Sequence, residues 1–451
     1  MEGQRCWTGK LAFEVMGKER LANKSWDESK KMWHIAAPAI LTAVAQFSIG
    51  LVTVAFVGHL GEVELAAVSV VENVIEGFVY GIMLLHQSDD ISELAGKYSI
   101  WVIPQLFAYA LNFPTQKFLQ SQSKVWVMTI ISGAVLAFHA LLNWILVTKL
   151  GHGLAGAAIA GNISWWLVVL AQLVYVVSGY FPDAWTGFSL SAFEKLAAFV
   201  KLSLASAIML CLELWYYTIV ILLVGRLKNP EIAVDAISIC MNLQQWTLMI
   251  ALGFNAAVSV RISNELGAKQ PKAAKFSVVV AVTTSVLFGT FFTVAILATR
   301  SHYPKIFTAK PVVIRETSKL GYLLAATIFL NSIQPVLHGV AVGAGWQFLV
   351  AFINIVSYYI FGLPIGALLG YKFNLGIQGI WTGMLAGCLL QTVVLLFIML
   401  RANWHKEALQ AEERVRTWGG QSEPQQTPKE TANENGVQEL IQRESISIMS
   451  H

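Results

Sequence analysis

Between Met32 and Leu400 apolar runs long enough to cross a bilayer alternate with short polar breaks. The runs predict helices at about Met32–Val57, Leu65–Leu85, Tyr98–Leu119, Val125–Val147, Ala155–Ser178, Ala197–Val224, Ala233–Val258, Ala274–Thr299, Leu320–Val342, Leu349–Tyr371 and Gly376–Leu400. That is eleven spans of an all-α polytopic membrane protein. Pro38, Pro104, Pro114, Pro335 and Pro364 fall within or at the edges of these helices. Kinks there require neighbouring helices to cover the freed carbonyls, and they suit a cavity that changes shape.

One run stands apart. Leu202–Val224, LSLASAIMLCLELWYYTIVILLV, holds Glu213 as its single charged side chain, near the middle. An ionised carboxylate at that depth is costly unless paired or protonated, so Glu213 is either a proton carrier or a protonated link between helices. Asp235, at the start of the next helix, is either a second group sharing the proton or a carboxylate facing the helix N-terminus.

The composition agrees with a membrane protein: 56% of residues are hydrophobic and 13% charged, against roughly 25% charged in soluble domains. The net charge of +4 bears on orientation and gives no reason to expect nucleic acid. Cys211, Cys240 and Cys388 lie in apolar runs and Cys6 precedes them, with no CxxC or Cys/His pair, so neither a disulfide framework nor a metal site is expected. Nine histidines are scattered without an HxxxH or HExxH pair, and Asp89-Asp90 is an isolated acidic pair. These patterns argue against a membrane enzyme, and no cofactor is expected.

Met1 to Lys31 carries seven Lys or Arg and no apolar stretch, which argues for a cytosolic leader without a cleavable signal peptide. After Leu400 a short charged helix to about Trp418 precedes QSEPQQTPKETANENG, too polar to fold and expected to be a disordered cytosolic tail. Ser445 and Ser447 in it are either phosphorylation sites or plain solvated residues.

The chain also repeats itself. Val57-Gly58-His59-Leu60 returns as Val224-Gly225-Arg226-Leu227, and Glu64-Leu65-Ala66 as Glu231-Ile232-Ala233, both displaced by 167 residues. Pro114 matches Pro335 at 221, and Gly153 and Gly156 match Gly376 and Gly379 at 223. The displacement thus jumps by 56 from 167 to 223, one helix and the basic loop of Arg261, Lys269, Lys272 and Lys275 that the second half has and the first lacks. An ancestral plan of six plus six helices has lost one. Eleven spans would put two Lys/Arg-rich termini on opposite sides, against the positive-inside rule. Either a segment such as Leu65–Leu85 does not span, or the chain folds poorly, or it is a splice form or an incorrect gene model.

Several stretches are similar to one family: Met209-Leu210-Cys211-Leu212-Glu213-Leu214-Trp215-Tyr216, the run Asn255 to Ala268, Phe118-Leu119-Gln120-Ser121-Gln122-Ser123, Gly339 to Gln347, Asn403-Trp404 and Trp418-Gly419-Gly420. The chain from about Lys24 to Gly420 resembles the Multidrug And Toxic compound Extrusion (MATE) family in its plant Detoxification branch. After Gly81-Ile82-Met83-Leu84 that family continues with a glycine-rich stretch and a third helix. Here Leu85-His86-Gln87-Ser88-Asp89-Asp90 follows directly, where the repeat places the gap.

The resemblance implies a twelve-helix, two-lobe transporter that exports organic compounds in exchange for protons, here with residues 32–196 as an incomplete N-lobe and 197–400 as the C-lobe. The family's acid in its seventh helix maps onto Glu213. Places where animal relatives carry further acids hold Thr218, Asn242 and Asn331, the asparagines as hydrogen-bond partners of Glu213. Trp215, Tyr216, Tyr217 and Trp246 are candidates to stack on flat aromatic substrates, although packing between helices or anchoring at the interface serves each taken alone. Gln334, Asn354 and Tyr358 are candidates for polar substrate contacts. Glu72 and Glu76, at i and i+4, point to the N-lobe cavity or to Asn73. The expected partners are a small organic substrate such as a flavonoid, a xenobiotic or an organic ion, together with protons and the lipid bilayer, for a monomer. Val74-Ile75-Glu76-Gly77-Phe78 resembles the subgroup of vacuolar membranes, so the tonoplast is favoured and the plasma membrane stays open. An anion channel or uniporter of the same fold, and a non-transporting truncated form, are the rival readings.

Overall fold

The computed structural model describes the backbone of residues 2–61, 63–65, 67–68, 71, 89–182, 184–185, 187, 196–227, 230–308 and 310–417, with side chains from residue 22 onward outside a few helical positions. Among the described residues all regular structure is helical. The order is α1 (Glu2–Val57), α2 (Asp89–Ser121), α3 (Val125–Asn143, continued by a π-helical turn Trp144–Lys149), α4 (Gly153–Val177), α5 (Leu196–Val224), α6 (Pro230–Gly267), α7 (Pro271–Thr299), the single turn α8 (Pro304–Phe307), α9 (Pro311–Ala344), α10 (Gln347–Lys372), α11 (Gly376–Arg401) and α12 (Trp404–Thr417).

Nine helices among the described residues are long and apolar enough to cross a membrane. Of the other two expected spans, α2 is present with 33 residues, but Gln105, Asn112 and Gln116 keep it more polar than the rest. Leu65–Leu85 is helical at the few positions described, and the rest of it, with Glu72 and Glu76, lies outside the described residues. The first helix begins at Glu2, not at Met32. With no proline before Pro38 nothing interrupts its backbone ladder, and a helix needs apolar side chains only where it is buried. The tail helix ends at Thr417, and residues 418–451, with Ser445 and Ser447, lie outside the described residues.

The repeat is visible in three dimensions. Both α1 and α5 end on a valine, Val57 and Val224, followed by a glycine turn. Both α3 and α10 end in a π-helical turn closing on a lysine, Lys149 and Lys372, after which Gly153 and Gly376 adopt φ of 53° and 57° to start α4 and α11. That left-handed geometry favours glycine. Among the described residues the first half has no counterpart of α7.

Each half has its own core. Val57, Tyr98, Val102 and Val147 meet in the first, with Ile49, Val135 and Trp165 beside them, and Tyr216, Ile237, Leu324, Tyr358 and Trp381 in the second. A third core joins the halves at one end, where Met32 and Ile35 of α1 pack with Met128, Phe254, Ile262, Leu337 and Leu395. Lipid tails are as apolar as these side chains, so within the bilayer the cores hold by close packing and not by removal from water. At the same end the Glu28 carboxylate accepts from Arg261 Nε at 3.0 Å and from Ser277 Oγ at 2.6 Å, tying α1 to α6 and α7 beside the basic loop. Arg261 is shared with Glu265, 2.5 Å away.

Candidate functional site

On α5 the residues Glu213, Tyr216 and Tyr217 follow the i, i+3, i+4 rhythm that places them on one face, and that face meets α9, α10 and α11. On α9 the same spacing sets Gln334 and His338 one above the other, next to Pro335, whose missing N–H interrupts the backbone ladder at the Asn331 carbonyl. α10 presents Asn354 and Tyr358 at the start of a π-helical stretch, Ile355–Gly362, that widens the helix beneath them. Gln391 comes from α11. Gly387 lets α11 approach, since a Cβ there would lie 2.8 Å from Tyr216 Oη and 2.9 Å from the Ser357 carbonyl.

The hydrogen bonds of this cluster fix one another's direction. Met209 offers a carbonyl, which only accepts, so Asn354 turns its Nδ2 toward it at 3.3 Å and leaves Oδ1 to accept from Gln391 Nε2 at 2.5 Å. Gln391 Nε2 therefore also donates to His338 Nε2 at 2.8 Å, while its Oε1 accepts from Gln334 Nε2 at 2.6 Å and from the Tyr358 hydroxyl at 2.5 Å. Gln334 and Tyr358 also contact each other directly. With Nε2 accepting, His338 carries its proton on Nδ1, and Nδ1 faces Glu213 Oε2 at 3.4 Å. Gln334 Nε2 reaches the other carboxylate oxygen at 3.3 Å. The acid thus sits at the end of a buried polar chain that begins at a backbone carbonyl. Gln391 and Asn354 are fully buried, and the Glu213 side chain keeps 20% of its surface open.

Aromatic rings close one side. Tyr216 and Tyr358 stack with centroids 4.4 Å apart and planes 8° from parallel, and Tyr216 Oη donates to the Met384 carbonyl at 3.1 Å. Tyr217 Oη donates to Asn331 Oδ1 at 3.4 Å, and the buried Asn331 Nδ2 has no hydrogen-bond partner. Asn331 lines a narrow cavity with Thr247, Phe254, Phe288 and Phe292.

The structure therefore gathers Glu213, Tyr216, Tyr217, Asn331, Gln334, Asn354 and Tyr358. It does not bring Asn242 or Trp246 to the carboxylate: Asn242 is exposed, and Trp246 is 43% exposed with its ring edge against Phe47 of α1, 5.7 Å away. Glu213 accepts from Gln334 and lies 3.4 Å from His338 Nδ1, and the asparagines are not its partners, because α9 presents its i, i+4 pair there while Asn331 is held by Tyr217. Asp235 lies in the first turns of α6, its side chain outside the described residues. His338 and Gln391 are additions. Each is a polar residue inside an apolar run, the signal that marks Glu213. Among the described residues no group of three or more His, Cys, Asp and Glu side chains is arranged to hold a metal ion.

The MatE family profile matches residues 38–86, 80–145 and 205–368, more than half of the chain. The chain belongs to the MatE family. Protein DETOXIFICATION 33 of Arabidopsis thaliana is 49% identical, with 88% of this chain and 94% of the relative covered. Protein DETOXIFICATION 30 of the same plant is 48% identical, with 87% and 90% covered. The crystal structure of the eukaryotic MATE transporter AtDTX14 superposes with a TM-score of 0.81 at 28% identity, covering 87% of this chain and 99% of that one. These place the chain among MATE-type transporters, integral multi-pass membrane proteins. The alignment with Protein DETOXIFICATION 30 runs over 447 positions, while 87% of 451 residues is about 392. About 55 positions of that MatE relative thus have no residue here, which matches the step in the repeat.

Proposed function

We propose that this MatE chain is a proton-coupled antiporter of organic compounds in which Glu213 carries the proton. The observation that carries the reading is the buried polar chain between the Met209 carbonyl and the Glu213 carboxylate, whose hydrogen bonds diverge from the Gln391 amide and leave the second imidazole nitrogen of His338 3.4 Å from the acid. Protonating Glu213 removes the charge that His338 and Gln334 face, loosens one of the ties between α5 and α9, and shifts the population toward another arrangement of the C-lobe, residues 197–400. The cavity beside the unpartnered Asn331 Nδ2 has about 10 Å³ of free space, room for one water, so a flat aromatic substrate such as a flavonoid or xenobiotic enters only when the surrounding helices part. The tonoplast is the favoured membrane. Uptake of a fluorescent organic cation and of a flavonoid into proteoliposomes under an imposed pH gradient tests this. Wild type accumulates one of them only while the gradient lasts, and Glu213→Gln shows protein-free uptake. Equal uptake after the gradient is collapsed defeats antiport and leaves a uniporter.

A second reading rests on the gap. If the chain lacks the counterpart of α7 that the described residues do not contain, it is a non-transporting form, inactive in that assay until the relative's block is restored after Leu84.

A further inference from the structure

At the end of the bundle opposite the basic loop, the structure holds an open, strongly basic cavity of about 630 Å³. We propose that it is a binding site for an anionic phosphate group carried by a larger molecule, either a lipid headgroup or a soluble organophosphate. The cavity lies where α7 ends and α9 and α11 begin, and Arg300, Arg315, Lys319, Tyr322, Gln378 and Thr382 line it. It is separate from the Glu213 cluster, and nothing in the transport reading uses it.

Charge is the first argument. The lining contains three cations and no carboxylate. Lys319 is neutralised nearby by Glu316, 2.7 Å away, whereas neither Arg300 nor Arg315 has a carboxylate within ion-pair distance among the described residues. Two guanidinium groups thus face the same space with their charge uncompensated, an arrangement that attracts a doubly bonded oxyanion.

Geometry is the second. The Arg300 guanidinium lies over the Tyr322 ring at 4.4 Å. That contact places the charge over the ring without giving an N–H donor an oxygen acceptor, so the donors stay available to an anion. The ring holds the cation in place, so less side-chain freedom is lost when the anion binds. Gln378 adds a neutral amide donor on the α11 side, while the Thr382 hydroxyl gives its proton to the Gln378 carbonyl at 2.7 Å.

Size and setting are the third. A bare inorganic ion fills little of 630 Å³, which lies within the range that holds drug-sized molecules. The adjoining turn α8, held to α9 by a Tyr303 hydroxyl bond to the Thr317 carbonyl at 3.4 Å, exposes 82% of Ile306 and 47% of Phe307. An apolar step beside a basic cavity at the helix ends is the profile of an acyl chain next to its headgroup.

The full chain in neutral detergent is titrated with phosphatidylglycerol, phosphatidylcholine and glycerol 3-phosphate, with the thermal unfolding midpoint as readout. Wild type is stabilised by phosphatidylglycerol, by glycerol 3-phosphate or by both, with half-saturation at least about tenfold below that for phosphatidylcholine. In the Arg300→Gln/Arg315→Gln variant this preference falls by about tenfold or more. A response to the lipid alone assigns a headgroup site, and a comparable response to glycerol 3-phosphate assigns a soluble anion site. Should the double variant fail to fold, the exposed Arg315→Gln alone lowers the preference by about threefold. Equal stabilisation by all three probes, or variants that keep the wild-type preference, overturns the proposal.

Discussion

Each half of the molecule buries a histidine in a polar cluster inside the bundle, and the two clusters differ in one element. In the second half, His338 accepts at Nε2 from Gln391 and aims Nδ1 at the Glu213 carboxylate. In the first half, His139 accepts at Nε2 from Asn143 at 2.9 Å, and its Nδ1 lies 2.9 Å from Ser164 Oγ. That hydroxyl already donates to the Ala160 carbonyl at 2.7 Å, so it must accept, and His139 has the same tautomer as His338. Thr53 completes the site at 3.0 Å from the same Nε2, its single hydroxyl proton turned to the imidazole in place of the Ile49 carbonyl 3.2 Å away. The proton of His139 therefore points at a neutral oxygen bonded into its own helix, while that of His338 points at an acid. A buried histidine alone ties helices together; a histidine set against a carboxylate has somewhere to send charge.

That contrast can be broken from either side. The largest effect is expected for Glu213→Gln, which removes the acid while keeping the size and takes gradient-driven uptake to background. Gln391→Leu follows. It strips partners from Gln334, Tyr358, His338 and Asn354 at once, and should lower the unfolding free energy by about 3 kcal/mol while uncoupling uptake from the gradient. His139→Leu is milder, because Ser164 keeps its bond to the Ala160 carbonyl and the Thr53 hydroxyl turns to the Ile49 carbonyl. It should cost about 1–2 kcal/mol of stability and leave the pH dependence of any uptake unchanged. An uptake profile that shifts with His139→Leu as it does with Glu213→Gln would remove the distinction between the halves. The smallest effect belongs to Asn242→Ala, an exposed position outside the cluster, within about 0.5 kcal/mol of wild type and with unaltered uptake.

Much of the cluster was legible because polarity inside an apolar run is conspicuous. Glu213, Gln334, Asn354 and Tyr358 all announce themselves this way, and helical spacing pairs Gln334 with position 338 and Asn354 with Tyr358. The same rule selects Asn242 and Trp246, also at i and i+4, but periodicity states that two residues share a face without stating which neighbour that face meets. α6 serves both α1 and α9, and these two residues fall outside the Glu213 face. His338 is hidden by the scatter of nine histidines, since a search for histidine pairs looks for metal sites and passes over a lone imidazole beside a glutamine. Gln391 is a hub only because α9, α10 and α11 converge on it, a fact of packing that no local pattern carries. The leader shows the opposite limit: hydropathy marks where burial starts, at Met32, and the helix itself starts at Glu2. The step in the repeat was readable without a structure, because a displacement between matched motifs needs none, and its size agrees with the roughly 55 positions of Protein DETOXIFICATION 30 that have no residue here.

Proton exchange at Glu213 is the step on which antiport would turn. Infrared difference spectra of the purified chain, recorded between neutral and acidic pH, follow the carboxylic C=O stretch directly. A band that grows on acidification in wild type and is missing in Glu213→Gln is the predicted result. A band of the same size in both proteins, or none in wild type across the range, would contradict the proposed exchange.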